Sequence, residues 1–297
     1  MMNISGKTTV FGVIGDPIEH TFSPLIHNRA IAAMELDAVY VPFHVAPERL
    51  GEAVDGVRAF GIGGLNVTVP HKTAVMQYLD GISDEAEAVG AINTIIRRDS
   101  VLMGDNTDVY GFLMCVMEDG GIGRFPARVC VLGAGGAARG IVYACAGRDE
   151  VDDVVVVNRT LSKVETIAAD FSGMNGTRVT AVPATAETLS EAVTHAGMVV
   201  NTTSLGMYPH TDGTPVPDPD VFREGQVVCD IIYNPLRTRF LRDAASRGAK
   251  TIEGLAMLAY QGARSLSLWT GREAPAGVML DALREVFTPD TAAESSR

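Results

Sequence analysis

The chain has 297 residues, 46% hydrophobic and 20% charged, enough for one large or two ordinary domains with a sizeable core. Its net charge is −12, from 24 Lys and Arg against 36 Asp and Glu, which argues against a general nucleic-acid binder and against attachment to anionic membranes. Cys115, Cys130, Cys145 and Cys229 form no C-x-x-C pair and read as reduced core thiols of a cytoplasmic protein; no basic-then-apolar leader, no apolar run of about 18 residues and no ligand-spaced histidines are present, so neither membrane nor metal is expected.

Strands and helices alternate along the chain. Thr9–Ile14 reads as a strand, and Ser23-Pro24 opens a helix with serine as N-cap and proline at N1. A strand over Val39–Val45, a helix over Glu48–Phe60 and a strand over Gly64–Val69 follow. Short helices are predicted at Lys72–Leu79 and Ser83–Val89, and Ala91–Arg97 with Val101–Gly104 flank Asp99-Ser100 as a hairpin. A helix from about Val109 to Glu118 leads to Gly120-Gly121-Ile122-Gly123, a linker that reads either as a hinge or as plain turns. Strands are then predicted at Arg128–Leu132, Val154–Val157, Arg178–Val182, Met198–Asn201 and Val227–Ile232, with helices between them. Helices at Leu255–Trp269 and Pro275–Phe287 precede a polar tail, Thr288–Arg297, expected to be disordered. The pattern is that of two α/β domains with parallel-rich sheets, whose ligands bind beyond the carboxyl ends of strands.

The densest motif lies in the second half. Val129-Cys130-Val131-Leu132 runs into Gly133-Ala134-Gly135-Gly136-Ala137-Ala138. Gly133, Gly135 and Ala138 match G-x-G-x-x-G/A, in which the glycines allow a tight turn and close approach to a pyrophosphate. The helix that follows offers free N–H groups and positive potential to phosphates. Alone, such a loop can also be an ordinary tight turn. The next strand, Asp152–Val157, ends at Asn158-Arg159-Thr160, where an NAD-type domain would carry an acid for the ribose 2′-hydroxyl. A guanidinium there suits a 2′-phosphate, and Lys163 adds a second cation one turn on, so NADP is the expected cofactor. The bland reading of Arg159 and Lys163 is a solvated surface pair.

The first half carries polar residues at strand ends. Thr21 and Ser23 place hydroxyls beside a helix N-terminus, an arrangement suited to a carboxylate, although Ser23 can simply cap its helix. In Asn66-Val67-Thr68-Val69-Pro70-His71-Lys72, strand alternation turns Asn66 and Thr68 to one face, and Lys72 stands just past the end. Asn93 and Asp108 add an amide and a carboxylate. Each taken singly reads as a turn or surface residue. Together they suit a polyhydroxylated acid.

These segments make the chain resemble the shikimate dehydrogenases. The likeness also runs through Gly15–Pro24, Gly90–Thr94, Asn106-Thr107-Asp108, Asn201–Met207, Asp230-Ile231-Ile232-Tyr233-Asn234-Pro235 and Gly254–Gln261, in family order over nearly the whole chain. The resemblance implies reversible NADPH-dependent reduction of 3-dehydroshikimate to shikimate in the chorismate pathway of aromatic amino-acid biosynthesis. It implies a substrate-binding domain over residues 1–108 joined by C-terminal helices over 255–287, and a Rossmann-like NADP domain over 109–254. Lys72 is then the catalytic acid/base and Asp108 its partner. Thr21 and Ser23 hold the substrate carboxylate, and Asn66, Thr68, Asn93, Tyr233 and Gln261 help hold the carboxylate and ring hydroxyls. Gly133, Ala134, Gly135, Gly136 and Ala137 cradle the pyrophosphate. Asn158, Arg159, Thr160 and Lys163 surround the 2′-phosphate, and Ile231 and Gly254 lie against the nicotinamide. The family usually has Ser where this chain has Thr21, and the added methyl bears on the size of the substrate pocket. Quinate/shikimate or aminoshikimate dehydrogenation remains an alternative on the same residues; methylene-tetrahydrofolate dehydrogenation and a non-catalytic NADP-binding regulatory module fit them less well. Partners are the small-molecule substrate and a possible second copy in a homodimer, with no nucleic acid and no membrane.

Overall fold

The computed structural model describes residues 4–287, so the predicted tail lies outside the described residues. Its fold is α/β, built on two six-stranded sheets.

The first sheet comprises β1 (Thr9–Gly15), β2 (Ala38–His44), β3 (Gly64–Val67), β4 (Gly81–Ile82), β5 (Thr94–Arg98) and β6 (Val101–Asp105), in the order β2-β1-β3-β5-β6-β4. β1 is parallel to both β2 and β3, while β3, β5 and β6 run antiparallel in turn. The second sheet, β7 (Arg128–Leu132), β8 (Asp153–Asn158), β9 (Arg178–Pro183), β10 (Met198–Asn201), β11 (Val227–Asp230) and β12 (Lys250–Ile252), is parallel throughout. Its order, β12-β11-β10-β7-β8-β9, reverses between β7 and β10, the switch point at which doubly wound sheets bind dinucleotides. The uninterrupted apolar runs of β7, β8 and β10 follow from burial on both faces.

In the first half α1 (Ser23–Ala33), α2 (Leu50–Phe60) and α3 (Asp84–Val89) flank the sheet. The chain crosses to the second sheet through α4 (Asp108–Met114), continued by a π-helical turn over Cys115–Asp119. There α5 (Gly136–Ala146), α6 (Leu161–Phe171), α7 (Ala186–His195) and α8 (Arg239–Ser246) connect the strands. The last helices, α9 (Leu255–Thr270) and α10 (Ala276–Phe287), return to the first sheet. Trp269 anchors α9 there: it stacks on Phe11 with ring centroids 5.0 Å apart and donates its indole N–H to Ile95 O at 3.0 Å. β3 accepts this close approach through Gly64, where a Cβ would lie 2.3 Å from the indole nitrogen.

Several local expectations shift. Ser23 is the first residue of α1 rather than its cap; Phe22 precedes the helix, and Thr21 Oγ1 accepts the Ser23 N–H at 3.2 Å. β3 stops at Val67 rather than Val69, three residues before Pro70, and Val69 is 67% exposed. Lys72–Leu79 holds only a short 3₁₀ turn, Ala74–Tyr78. β4 and β12, too short for periodicity to reveal, complete the sheets. β11 ends at Asp230, before the predicted Ile232. Gly120 is buried with no room for a Cβ, which would meet Ile252 Cδ1 at 2.5 Å, so this glycine serves close packing.

Candidate active site

Beyond β3 and β5 the first sheet brings together the polar residues of four chain segments. Lys72 Nζ donates to Asp108 Oδ2 at 2.5 Å, with side-chain exposures of 18% and 8%. Asp108 opens α4, where its carboxylate suits the positive end of the helix, and its backbone N–H donates to Asn106 Oδ1 at 3.0 Å. The second carboxylate oxygen accepts from Asn93 Nδ2 at 2.8 Å. Asn93 Oδ1 accepts the backbone N–H of Thr107 at 2.7 Å, an unambiguous donor that fixes which end of the amide faces Asp108. Gln261, from α9, lies 3.4 Å from Asn93 Nδ2 through its Oε1.

Asn66 is buried deeper. It accepts from Tyr40 OH at 2.8 Å and donates to Asn93 O at 3.1 Å and Ser265 Oγ at 2.9 Å. Thr68 and Thr21 are half-buried and Ser23 is buried. A Cβ on Gly15 would lie 2.5 Å from Thr68 Cγ2, and Asp16 N–H donates to Val69 O at 3.0 Å, so the β1 and β3 loops touch. Tyr233 reaches the same end from the second sheet, edge-on to Phe22 at 6.1 Å and to Phe287 at 6.4 Å. Burial raises its phenol above the ordinary tyrosine range.

The dinucleotide loop faces this cluster. Gly133 adopts φ +118°, and a Cβ there would lie 2.4 Å from Thr202 Oγ1. Gly135 is exposed with open space around it, so a ligand can approach its backbone. Ala134, Gly136 and Ala137 are half-buried beside it, at the start of α5. A Cβ on Gly136 would lie 3.6 Å from Lys72 Cδ, so the positive end of α5 abuts the Lys72 side chain. Asn158, at the end of β8, donates to Thr160 O at 3.1 Å. Arg159 and Lys163 are exposed and make no ion pair among the described residues. The switch point, the glycine geometry and these free cations together fit an NADP molecule.

The far side of the switch point is braced by Asp230. It accepts from Asn201 Nδ2 at 3.0 Å, from the Ile232 N–H at 3.0 Å and from Thr238 Oγ1 at 2.7 Å. Burial pushes its carboxyl up to about 6, against the opposing pull of these bonds. The half-buried Ile231 follows, and Gly254 packs on it; a Cβ there would meet Ile231 C and O at 2.4 Å.

Comparison with known proteins agrees with this geometry. The pattern of the shikimate dehydrogenase substrate binding domain matches residues 13–95, and that of the shikimate 5'-dehydrogenase C-terminal domain matches 254–284. The NADP binding domain of saccharopine dehydrogenase matches 129–205. A shikimate dehydrogenase (NADP(+)) of Moorella thermoacetica is 43% identical, covering 97% of this chain and 96% of its own. The chain belongs to the shikimate dehydrogenase family. A crystal structure of a shikimate dehydrogenase in complex with NADP+ superposes with a TM-score of 0.88 at 39% identity, covering 96% of this chain and 98% of the other. The enzyme of Thermus thermophilus, in complex with NADP(H) and shikimate, gives 0.82 at 35% identity, over 94% and 99%.

Sequence reasoning passed over several residues of this cluster. Thr94 and Thr107 adjoin singled-out residues, and Ser265 stands four residues after Gln261, one turn along the same helix face. That spacing was the available signal. Arg139 was also missed: its Nη2 pairs with Asp170 at 2.8 Å while its Nε donates to Val89 O, joining α5 and α6 to the C-terminus of α3.

Proposed function

We propose that the protein catalyses the reversible NADPH-dependent reduction of 3-dehydroshikimate to shikimate, with Lys72 as acid/base and Asp108 as its partner. The observation that carries this reading is the Lys72–Asp108 contact of 2.5 Å, set against the start of the helix that follows the dinucleotide loop. The reduced nicotinamide supplies a hydride when bound. The Lys72 ammonium stabilises the negative charge that grows on the carbonyl oxygen and hands over a proton from Nζ. Asp108 keeps that ammonium oriented. In the oxidation direction the neutral amine of Lys72 takes the proton.

Thr21 and Ser23 receive the substrate carboxylate. With the Thr21 lone pair engaged by Ser23 N–H, its hydroxyl proton is free to donate. Asn66, Thr68, Asn93, Tyr233 and Gln261 shape the remainder of the pocket. Gly133 to Ala137 cradle the pyrophosphate, Asn158, Arg159, Thr160 and Lys163 take the 2′-phosphate, and Ile231 with Gly254 flank the nicotinamide. Residues 1–108 with 255–287 form the substrate side and 109–254 the cofactor side. Four buried free thiols suit the reducing cytoplasm.

The test is absorbance at the reduced-nicotinamide band, with shikimate or quinate each paired with NADP or NAD. Turnover confined to shikimate with NADP is expected. Preference for quinate or for NAD would overturn the substrate or the 2′-phosphate assignment.

A further inference from the structure

Asn93 is the one residue that donates to the Asp108 oxygen not used by Lys72 among the described residues, and its amide is held by a closed ring of hydroxyls. Asn93 Nδ2 donates to Thr107 Oγ1 at 2.9 Å. Thr107 Oγ1 lies 3.0 Å from Ser265 Oγ, which lies 2.8 Å from Thr94 Oγ1. Thr94 Oγ1 donates back to Asn93 Oδ1 at 3.0 Å. Ser265 Oγ gives its one proton to Gln261 O at 3.0 Å, so toward the ring it accepts, and Thr107 Oγ1 also reaches Asn93 Oδ1 at 3.2 Å. Asn66 Nδ2 also donates to Ser265 Oγ, at 2.9 Å. All four ring residues are buried, Ser265 and Thr94 completely, so water does not replace a missing member.

Only one member of this ring comes from outside the loops that carry Asn93 and Asp108. Ser265 sits on α9, 158 positions after Thr107 in the chain. We propose that Ser265 is a positioning residue for the reaction: it closes the hydroxyl ring that locks the Asn93 amide, and thereby aims Asp108 at Lys72. This rests on the Lys72–Asp108 reading above. The C-terminal helix thus has a second duty besides covering the first sheet, since its hydroxyl ties together Thr107 and Thr94, which otherwise bond to the Asn93 amide, to each other and, for Thr94, to Asn66.

The experiment compares Ser265→Ala, Ser265→Thr and the control Ser267→Ala, whose hydroxyl bonds Ala263 O and the Ala274 N–H away from the ring. Ser265→Ala is expected to lower kcat for shikimate oxidation about fivefold to tenfold, the loss of one net hydrogen bond, with KM nearly unchanged. The pH limb of kcat moves, because Asp108 is no longer held firmly against Lys72. Ser265→Thr restores both, and Ser267→Ala lowers thermal stability without moving the limb. A direct readout is hydrogen exchange of the Asn93 side-chain amide, identified by its loss in Asn93→Asp. Faster exchange in Ser265→Ala is expected whatever role Lys72 has, so failure of the ring and failure of the Lys72 reading are distinguishable. Unchanged exchange together with an unchanged pH limb in Ser265→Ala would overturn the proposal, as would an equal limb shift in Ser267→Ala. Should Ser265→Ala not fold, Thr107→Val removes the neighbouring hydroxyl at nearly constant volume and is judged by the same outcomes.

Discussion

Lys72 follows β3 of the first sheet, and Arg159 follows β8 of the second, yet the two cations are held in opposite ways. Lys72 is largely covered and already bonded to Asp108, which is bonded in turn to Asn93. Arg159 and Lys163 stand in solvent without an ion pair among the described residues. A covered charge without a partner costs several kcal/mol, so the Lys72 side has to be assembled before a ligand arrives. A solvated guanidinium waits at little cost, and its hydrogen-bonding fork remains available to a phosphate. On the proposed reading, one side is preorganised for chemistry and the other is kept open for recognition.

Removing the preorganised cation is the severest test of that contrast. Lys72→Ala is expected to lose about 10²–10⁴-fold in kcat with a modest change in KM, and Asp108→Ala to follow it, in steady-state assays of shikimate oxidation. Near-normal kcat in Lys72→Ala would remove the acid/base assignment. On the open side, Arg159→Ala is expected to raise KM for NADP about tenfold to a hundredfold while sparing NAD, as befits a lost charge-assisted contact. An unchanged preference between the two cofactors would sink the 2′-phosphate role.

Smaller effects sharpen the picture at the junction between the sites. Gly254→Ala places a Cβ against Ile231 backbone, and urea unfolding is expected to read a loss of about 1–3 kcal/mol. A stability equal to the parent would mean the Ile231 backbone shifts freely. Acid titration separates two buried groups. Asp230, raised to about 6, contributes stability that is full below its unfolded value of 3.8 and is lost as pH rises through about 6. His27, stacked on Tyr40 with centroids 4.0 Å apart, is lowered by burial from 6.5 to about 4. Its contribution is full above 6.5 and is lost as pH falls through about 4. The two slopes oppose each other between about 4 and 6. Asp230→Asn is therefore expected to make the urea midpoint climb more steeply from pH 4 to pH 6 than in the parent. A slope equal to the parent's would show that Asp230 does not titrate in this window.

By itself the sequence determined the alternation of strands and helices, the dinucleotide loop and the cationic replacement after β8, because each is written in local periodicity or in residues a few positions apart. The conjunction of Lys72, Asn93 and Asp108 was legible as a set of polar strand ends, but not as a bonded chain. Tertiary structure decided what long-range packing alone can decide. It turned the chain after Val67 and left Ser23 inside α1 rather than capping it. It set Gly136 against Lys72 and brought Ser265 from α9 to close the ring around Asn93. Those contacts join residues far apart in the chain, where no local rule of spacing reaches, and they form only when α9 packs on the first sheet and α5 on the second.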